Sequence, residues 1–308
     1  MDLDTVGRVF YPRYRMPLWY TSSEAFSPEL GTGTRFRLVW VERGAGILRL
    51  GEHREAFIAP TLFCLNETEV PQLEQSADLQ AQGVYFHPGV VNSVFTFKNV
   101  REAPRSLTTT EMQDQHWLRP FVERDAAYHG QLAVGPALAQ RLSAFCQALE
   151  QELTQQKDSF WPCRSRSLFL EILFIVDHVF SMPAKPDSLQ ASTPISTLSA
   201  VEDIDPVVLY LHIHYQDKIT IGKLARTFHT NRTTLTERFR QATDMSVLSY
   251  LIQLRVRLAA LMLRDTRLPI SEVLSRVGFN DSTHFGRTFR KHTGCTPSEY
   301  RERYCWVA

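Results

Sequence analysis

The chain has 308 residues, 44% of them apolar, with 34 Lys and Arg against 33 Asp and Glu. That length predicts two domains, and the apolar content supplies two cores and excludes a disordered chain. No basic flank with an apolar stretch opens the sequence, and no run nears the ~18 apolar residues needed to span a bilayer, so the expectation is a cytoplasmic protein with no membrane partner. Cys64, Cys146, Cys163, Cys295 and Cys305 are odd in number and widely spaced, without a C-x-x-C pair. Neither a disulfide framework nor a zinc site is indicated.

Phe36–Val41, Ala45–Leu50, Ala56–Ile58, Leu62–Leu65 and Gly83–Phe86 read as short strands, punctuated by Gly44, Gly46, Gly51, Pro60 and Pro71. Many short strands with Gly and Pro turns predict a small β-barrel or jelly roll with an interior suited to a small molecule. Tyr20, Arg37, Trp40, Tyr85 and His87 are the polar and aromatic candidates for an effector site there. Aromatic faces with one arginine would suit a sugar or a small carboxylate. His53 stands without a second histidine at ligand spacing, so no metal site and no catalytic residue is assigned.

Downstream the period lengthens to that of a helix over 136–156, with Leu138, Leu142, Phe145, Leu149 and Leu153 in one narrow stripe. A greasier helix follows at 162–181. The stripe suits either of two roles, a contact within the domain or a dimerisation seam formed by Leu138, Leu142, Phe145 and Leu149. Residues 183–205 carry Pro, Ser and Thr without periodicity and read as a linker. The expected organisation is therefore 1–182 as a sensor and dimerisation domain, 183–205 as linker and 206–308 as a second domain. The linker alone is expected to join them, so a signal would pass by repositioning of domains.

The second domain differs in charge as well as pattern. Residues 206–308 hold 16 basic and 8 acidic side chains, whereas residues 1–205 hold 18 and 25. Such a basic unit is the electrostatic footprint of phosphate-backbone contact. It is also internally repeated. Ile221, Ala225, Phe228, Leu235, Phe239, Arg240, Thr243, Asp244 and Tyr250 recur as Ile270, Leu274, Val277, Phe285, Phe289, Arg290, Thr293, Gly294 and Tyr300, shifted by 49 before the turn and 50 after it. Each copy places a short amphipathic helix ahead of a second helix that starts on a small polar residue, the pattern of a helix-turn-helix.

In the first copy Asn231 caps a helix in which Leu235 and Phe239 face inward, leaving Arg232, Thr233, Thr236, Glu237, Arg238 and Arg240 for DNA. In the second copy Phe285 and Phe289 face inward, leaving Ser282, Thr283, His284, Gly286 and Arg287 outward. Arg232 and Arg287 are the candidates for base edges, and Arg290 and Lys291 for phosphates. Between the copies, 246–264 predicts one helix about 28 Å long. That length can hold two recognition helices near the ~34 Å separation of successive major-groove openings.

Residues 206–304 resemble the DNA-binding domain of the AraC/XylS family of bacterial transcription regulators. The resemblance is carried by Ile270-Ser-Glu-Val-Leu-Ser-Arg-Val-Gly-Phe279, Phe285, Phe289-Arg-Lys291, Thr293-Gly294 and Pro297-Ser-Glu-Tyr-Arg301, with Leu224-Ala225, Arg255, Ala259 and Leu263 upstream. Leu274 and Asp244 depart from it, standing where the family usually has Ala and Gly. The resemblance implies an α+β fold: an N-terminal cupin-like barrel with a helical dimerisation segment, a linker, and an all-α domain of two helix-turn-helix units joined by a long helix. It also implies an activator acting as a homodimer, with promoter double-stranded DNA, RNA polymerase and a small-molecule effector as partners and no cofactor. Two other functions compete with this one: a regulator without a ligand whose N-terminal domain binds a protein partner, and a cupin-type enzyme fused to a DNA anchor. The second would need a metal constellation or a nucleophile and base in the barrel, and the sequence offers neither.

Overall fold

The computed structural model describes residues 3–102, 107–126, 128–182 and 204–306. The N-terminal part begins with a small hairpin of β1 (Thr5–Val6) and β2 (Arg15–Met16), followed by a six-stranded antiparallel sheet. Its strands are β3 (Leu18–Thr21), β4 (Phe36–Leu50), β5 (His53–Ile58), β6 (Thr61–Leu65), β7 (Pro71–Phe86) and β8 (Gln131–Ala133). They run in the order β3-β7-β4-β6-β8, with β5 also on β4.

The sheet is not closed, which corrects the barrel expectation: β3 and β8 end the strand path without pairing with each other, and β5 pairs with β4 alone. The two strands expected at 36–41 and 45–50 are one long strand. One edge of β4 pairs with β6 over Arg37–Val41 and with β5 over Ala45–Leu50, and its other edge pairs with β7 throughout. Register shifts between Val41 and Arg43, Arg43 and Ala45, and Ile47 and Leu48 bend this ribbon instead of ending it. The first three-quarters of β7 lies outside the strand expected at 83–86: Leu73, Ala77, Leu79 and Ala81 alternate with polar residues, but Gln75 interrupts their face.

Alternation along β4 divides Phe36–Val41 between two cores. Val39, Val41 and Leu48 join Phe57, Phe63, Leu65 and the loop residue Phe26 on one face. The rings of Phe26 and Phe57 lie 6.0 Å apart and those of Phe57 and Phe63 5.2 Å apart, so aromatic side chains fill the bend of the sheet. Phe36, Leu38 and Trp40 point the other way, beneath the antiparallel helices α3 (Pro136–Gln155) and α4 (Trp161–Ser181). Two shorter helices, α1 (Thr109–His116) and α2 (Arg119–Val122), precede them.

The expected dimer seam lies in this second core. Leu138, Leu142 and Leu149 are at most 1% exposed, and Phe145 packs against the same cluster. The stripe is therefore consumed within the chain, because a sheet face this apolar must be covered and α3 covers it. The outward side of α3 carries Gln140, Arg141, Ala144, Gln147 and Gln151 instead.

The C-terminal part is helical: α5 (Asp205–Ile213), α6 (Ile221–Thr227), α7 (Arg232–Thr243), α8 (Val247–Asp265), α9 (Ile270–Arg276), α10 (Ser282–Thr293) and α11 (Pro297–Tyr304). The expected linker lies outside the described residues as far as residue 203, and Asp205 already opens α5. Joining by the linker alone is also corrected. Ala45, Ile47 and Ala56 of the sheet share one buried cluster with Val207, Val208 and Leu211 of α5, so the two parts are packed together.

Candidate nucleic-acid interface

The sequence repeat is a repeat of contacts. Asn231 caps α7 by accepting from the Thr234 amide at 2.7 Å, and Asp281 caps α10 by accepting from the His284 amide. Each cap satisfies a backbone donor that the first turn leaves free. Thr243 Oγ1 donates to the Phe239 carbonyl at 2.7 Å, and Thr293 Oγ1 donates to that of Phe289 at 2.8 Å. Phe239 meets Tyr250 edge-on at 5.5 Å, and Phe289 meets Tyr300 edge-on at 5.4 Å.

Turn chemistry repeats as well. His229 and Gly278 occupy matching positions at φ 49° and 85°, the left-handed region each tight turn requires. The amide of the next residue, Thr230 or Phe279, bonds back to Ala225 or Leu274 at 2.9 Å in both copies. Asn280 is the extra residue that lengthens the shift from 49 to 50. The two departures from the family pattern fit the fold. Asp244 ends α7 at φ 55° as Gly294 ends α10 at φ 76°, and Leu274 is buried in the second unit's core.

With the inner faces fixed by Leu235 and Phe239 and by Phe285 and Phe289, the outer faces follow. Arg232, Thr233, Glu237, Arg238 and Arg240 are exposed on α7, while Thr236 is half-buried and donates back to the Arg232 carbonyl at 2.8 Å. Ser282, Thr283, His284, Arg287, Arg290 and Lys291 are exposed on α10. A broad open concavity of about 1110 Å³ runs along α7 between Thr220, Arg226, Arg232, Glu237 and Arg240. In it the Arg232 guanidinium folds back over Gly222 of α6, 2.8 Å from where a Cβ on that glycine would lie. A Cβ on Gly286 would meet nothing within 4 Å, so the outer side of α10 is flat and open there.

Two residues quoted above for the family resemblance also hold the units together. Arg255 of α8 donates to the carbonyls of Tyr215 at 2.6 Å and Asp217 at 2.7 Å, tying the end of α5 to the linking helix. Gly278 sits against the same loop: a Cβ there would meet the Gln216 carbonyl at 2.7 Å and that of Tyr215 at 2.8 Å. The signal was an arginine on a largely apolar helix and a glycine at a turn; what they touch is not local in sequence.

The five effector candidates do not converge. Arg37 and Tyr85 are paired across strands, buried, and stacked with the guanidinium 4.8 Å from the ring centre. Both are spent on the segment that crosses the sheet. Arg37 donates to the carbonyls of Ser27 and Leu30, and the Tyr85 hydroxyl donates to that of Glu24 at 2.7 Å. Trp40 faces the helices, its indole N–H 3.3 Å from Ser143 Oγ. Tyr20 lies on that side too, where burial and then Glu150 raise its pKa. His87 caps a turn by accepting from the Gly89 amide. Period-2 alternation separates these side chains onto opposite faces, which strand register decides and composition does not.

No cluster of three or more His, Cys, Asp or Glu suited to a metal occurs among the described residues. No single helix among them is long and apolar enough to cross a membrane.

Residues 224–303 match a family described as a helix-turn-helix domain. The chain is 39% identical over 93 residues to the arabinose operon regulatory protein of Escherichia coli K12, covering 30% of this chain and 32% of that one. It is 33% identical over 101 residues to the uncharacterised helix-turn-helix-type transcriptional regulator YdiP of the same organism, covering 33% of each. In these two the chain spans about a third of the relative's length. A longer match, 24% identical over 267 residues, runs to the transcriptional activator RhaR of Cronobacter sakazakii and covers 87% of this chain and 84% of that one.

Proposed function

The chain belongs to the AraC/XylS family of transcription regulators, and from that premise we propose that it is a sequence-specific activator that reads two successive major grooves of promoter DNA with α7 and α10. The observation that carries this reading is the structural repeat: two capped helices whose apolar faces are buried at matching positions and whose opposite faces expose Arg232 and Arg287. Base-edge contact belongs to Arg232, Thr233, Thr236, Glu237, Ser282, Thr283, His284 and Arg287. Backbone contact belongs to Asn231, Arg238, Arg240, Arg290 and Lys291. RNA polymerase is the partner through which an activator acts. Homodimerisation would engage a surface other than the buried stripe of α3.

The N-terminal part is the regulatory unit in this reading. A groove of about 530 Å³ lined by Ser23, Glu24, Phe26, Ser27, Gln72 and Leu73 is the place proposed for a small-molecule effector, displacing the candidates read from the sequence. A second reading, a protein partner in place of a small molecule, is favoured by one observation. Phe26, Phe57 and Phe63 occupy the bend of the sheet, and Arg37 and Tyr85 are already engaged.

The test is selection of duplexes from a random DNA library by the full chain, followed by transcription from a promoter bearing the selected site. Recovery of one recurrent bipartite sequence and increased transcription support the reading; enrichment of no sequence overturns it. Thermal shift against a metabolite panel separates the two regulatory readings, because a ligand that binds only the folded chain raises Tm.

A further inference from the structure

The N-terminal part meets the helical module at two points, the start of α5 in the first unit and the end of α8 beside the second. At the first unit, Asp205 opens α5 and is 2% exposed; it accepts from Arg54 of β5 and, at 3.3 Å, from Gln75 of β7. Arg54 in turn donates to Glu74, which also binds Arg49. At the second unit, Asp265 ends α8 just before α9 and is fully buried. Its carboxylate accepts from Arg264 at 2.6 and 2.9 Å and from the Trp306 indole at 2.8 Å. Trp306 stands edge-on to His178 of α4 at 5.3 Å. The same carboxylate occupies the place of a missing side chain, because Asp265 Oδ2 lies 1.4 Å from where a Cβ on Gly135 would be. Gly135 begins α3 at φ −80°, a backbone any residue adopts, so only the approach of Asp265 excludes a side chain there.

A rod held at one end can swing, and a rod held at both cannot. We infer that the N-terminal domain is a brace that fixes the spacing of the two recognition helices, with Arg54 and Gly135 as positioning residues for DNA reading although both lie in the other domain. The inference rests on the proposal that α7 and α10 both enter DNA. Asp205 is a buried charge that loses Arg54 and Gln75 if its contact opens, and Asp265 is a buried charge that loses its seat against Gly135, which makes the docked arrangement one discrete state and the released one another. Two recognition helices at fixed spacing accept one separation of half-motifs; released from one anchor, they accept several at lower affinity for the best. Regulation would then act on which spacings are read as much as on affinity.

The experiment uses the full-length protein and a duplex it selects from a random library, with two base pairs then inserted between the two contacted half-motifs. The wild type should lose at least tenfold in affinity on insertion. In Gly135→Ala, whose new methyl displaces Asp265, and in Arg54→Met, which removes the arginine partner of Asp205, the loss should shrink to under threefold, with weaker binding to the original duplex. Folding is checked by circular dichroism; should either variant fail to fold, Trp306→Ala takes its place with the same expectation. A wild-type insertion penalty in the folded variants overturns the brace while leaving DNA reading intact. Failure of the wild type to select any duplex overturns DNA reading and the brace together.

Discussion

At the scale of single residues, Arg232 at the start of α7, Arg287 in the middle of α10 and Arg290 in its last turn are expected to do different work. In the proposed reading Arg232 and Arg287 reach base edges, whereas Arg290 follows Phe289 in the last turn of α10. Arg232→Ala and Arg287→Ala should each relax sequence preference by about 1–3 kcal/mol at one or two base pairs. Arg290→Ala should weaken selected and unrelated duplexes alike, as fluorescence anisotropy on both would read. A buried histidine supplies a second prediction. His212 is held between the Tyr250 hydroxyl at 2.8 Å and the Phe57 carbonyl at 3.3 Å, and burial, then Arg257, lower its pKa to about 4. The unfolded chain binds this proton more readily, so the stabilisation is complete above the ordinary histidine pKa and is lost as pH falls toward 4. Between pH 7 and pH 5 the loss should be about 2 kcal/mol. Urea titrations should show that slope flattened in His212→Asn.

At the scale of elements, α3 illustrates how one stripe supports two readings until its neighbours are known. Its apolar period marks a helix whatever it packs on, and the same four side chains would serve a partner chain or the sheet. The sheet wins because Phe36, Leu38 and Trp40 present an apolar face that water would otherwise meet. Leu142→Ala should therefore cost about 2–5 kcal/mol by leaving a cavity. Gln147→Ala on the outward side should change stability by no more than about 0.5 kcal/mol. Equal small effects in denaturant midpoints would return the stripe to the surface. The interior of α10 offers the opposite case. Gly286→Ala, with nothing within 4 Å of the new methyl, should stabilise the helix by about 0.5–1 kcal/mol. The same methyl should weaken DNA binding if the backbone of α10 approaches the duplex closely.

At the scale of the whole molecule, charge is unevenly divided: 16 basic against 8 acidic side chains in residues 206–308, in a chain with 34 and 33 overall. Binding through that module releases condensed counterions, so raising salt from about 50 to 200 mM should lower affinity on the order of a thousandfold if about six phosphates are neutralised. A salt-independent affinity would remove the phosphate backbone from the interface.

The helical module was legible from the sequence almost residue by residue, because its elements are specified locally. Helical period, the cap at Asn231 and the shift of 49 then 50 need no information from the rest of the chain. The N-terminal part yielded only its composition in strands and its two long helices. Whether strands close, which face Arg37 or Trp40 points to, and what covers the stripe of α3 depend on register and on contacts between residues far apart in the chain, which tertiary structure alone decides. The same holds for Gly135 and Asp265, 130 positions apart and unremarkable in sequence, whose close approach exists only once the two parts have docked.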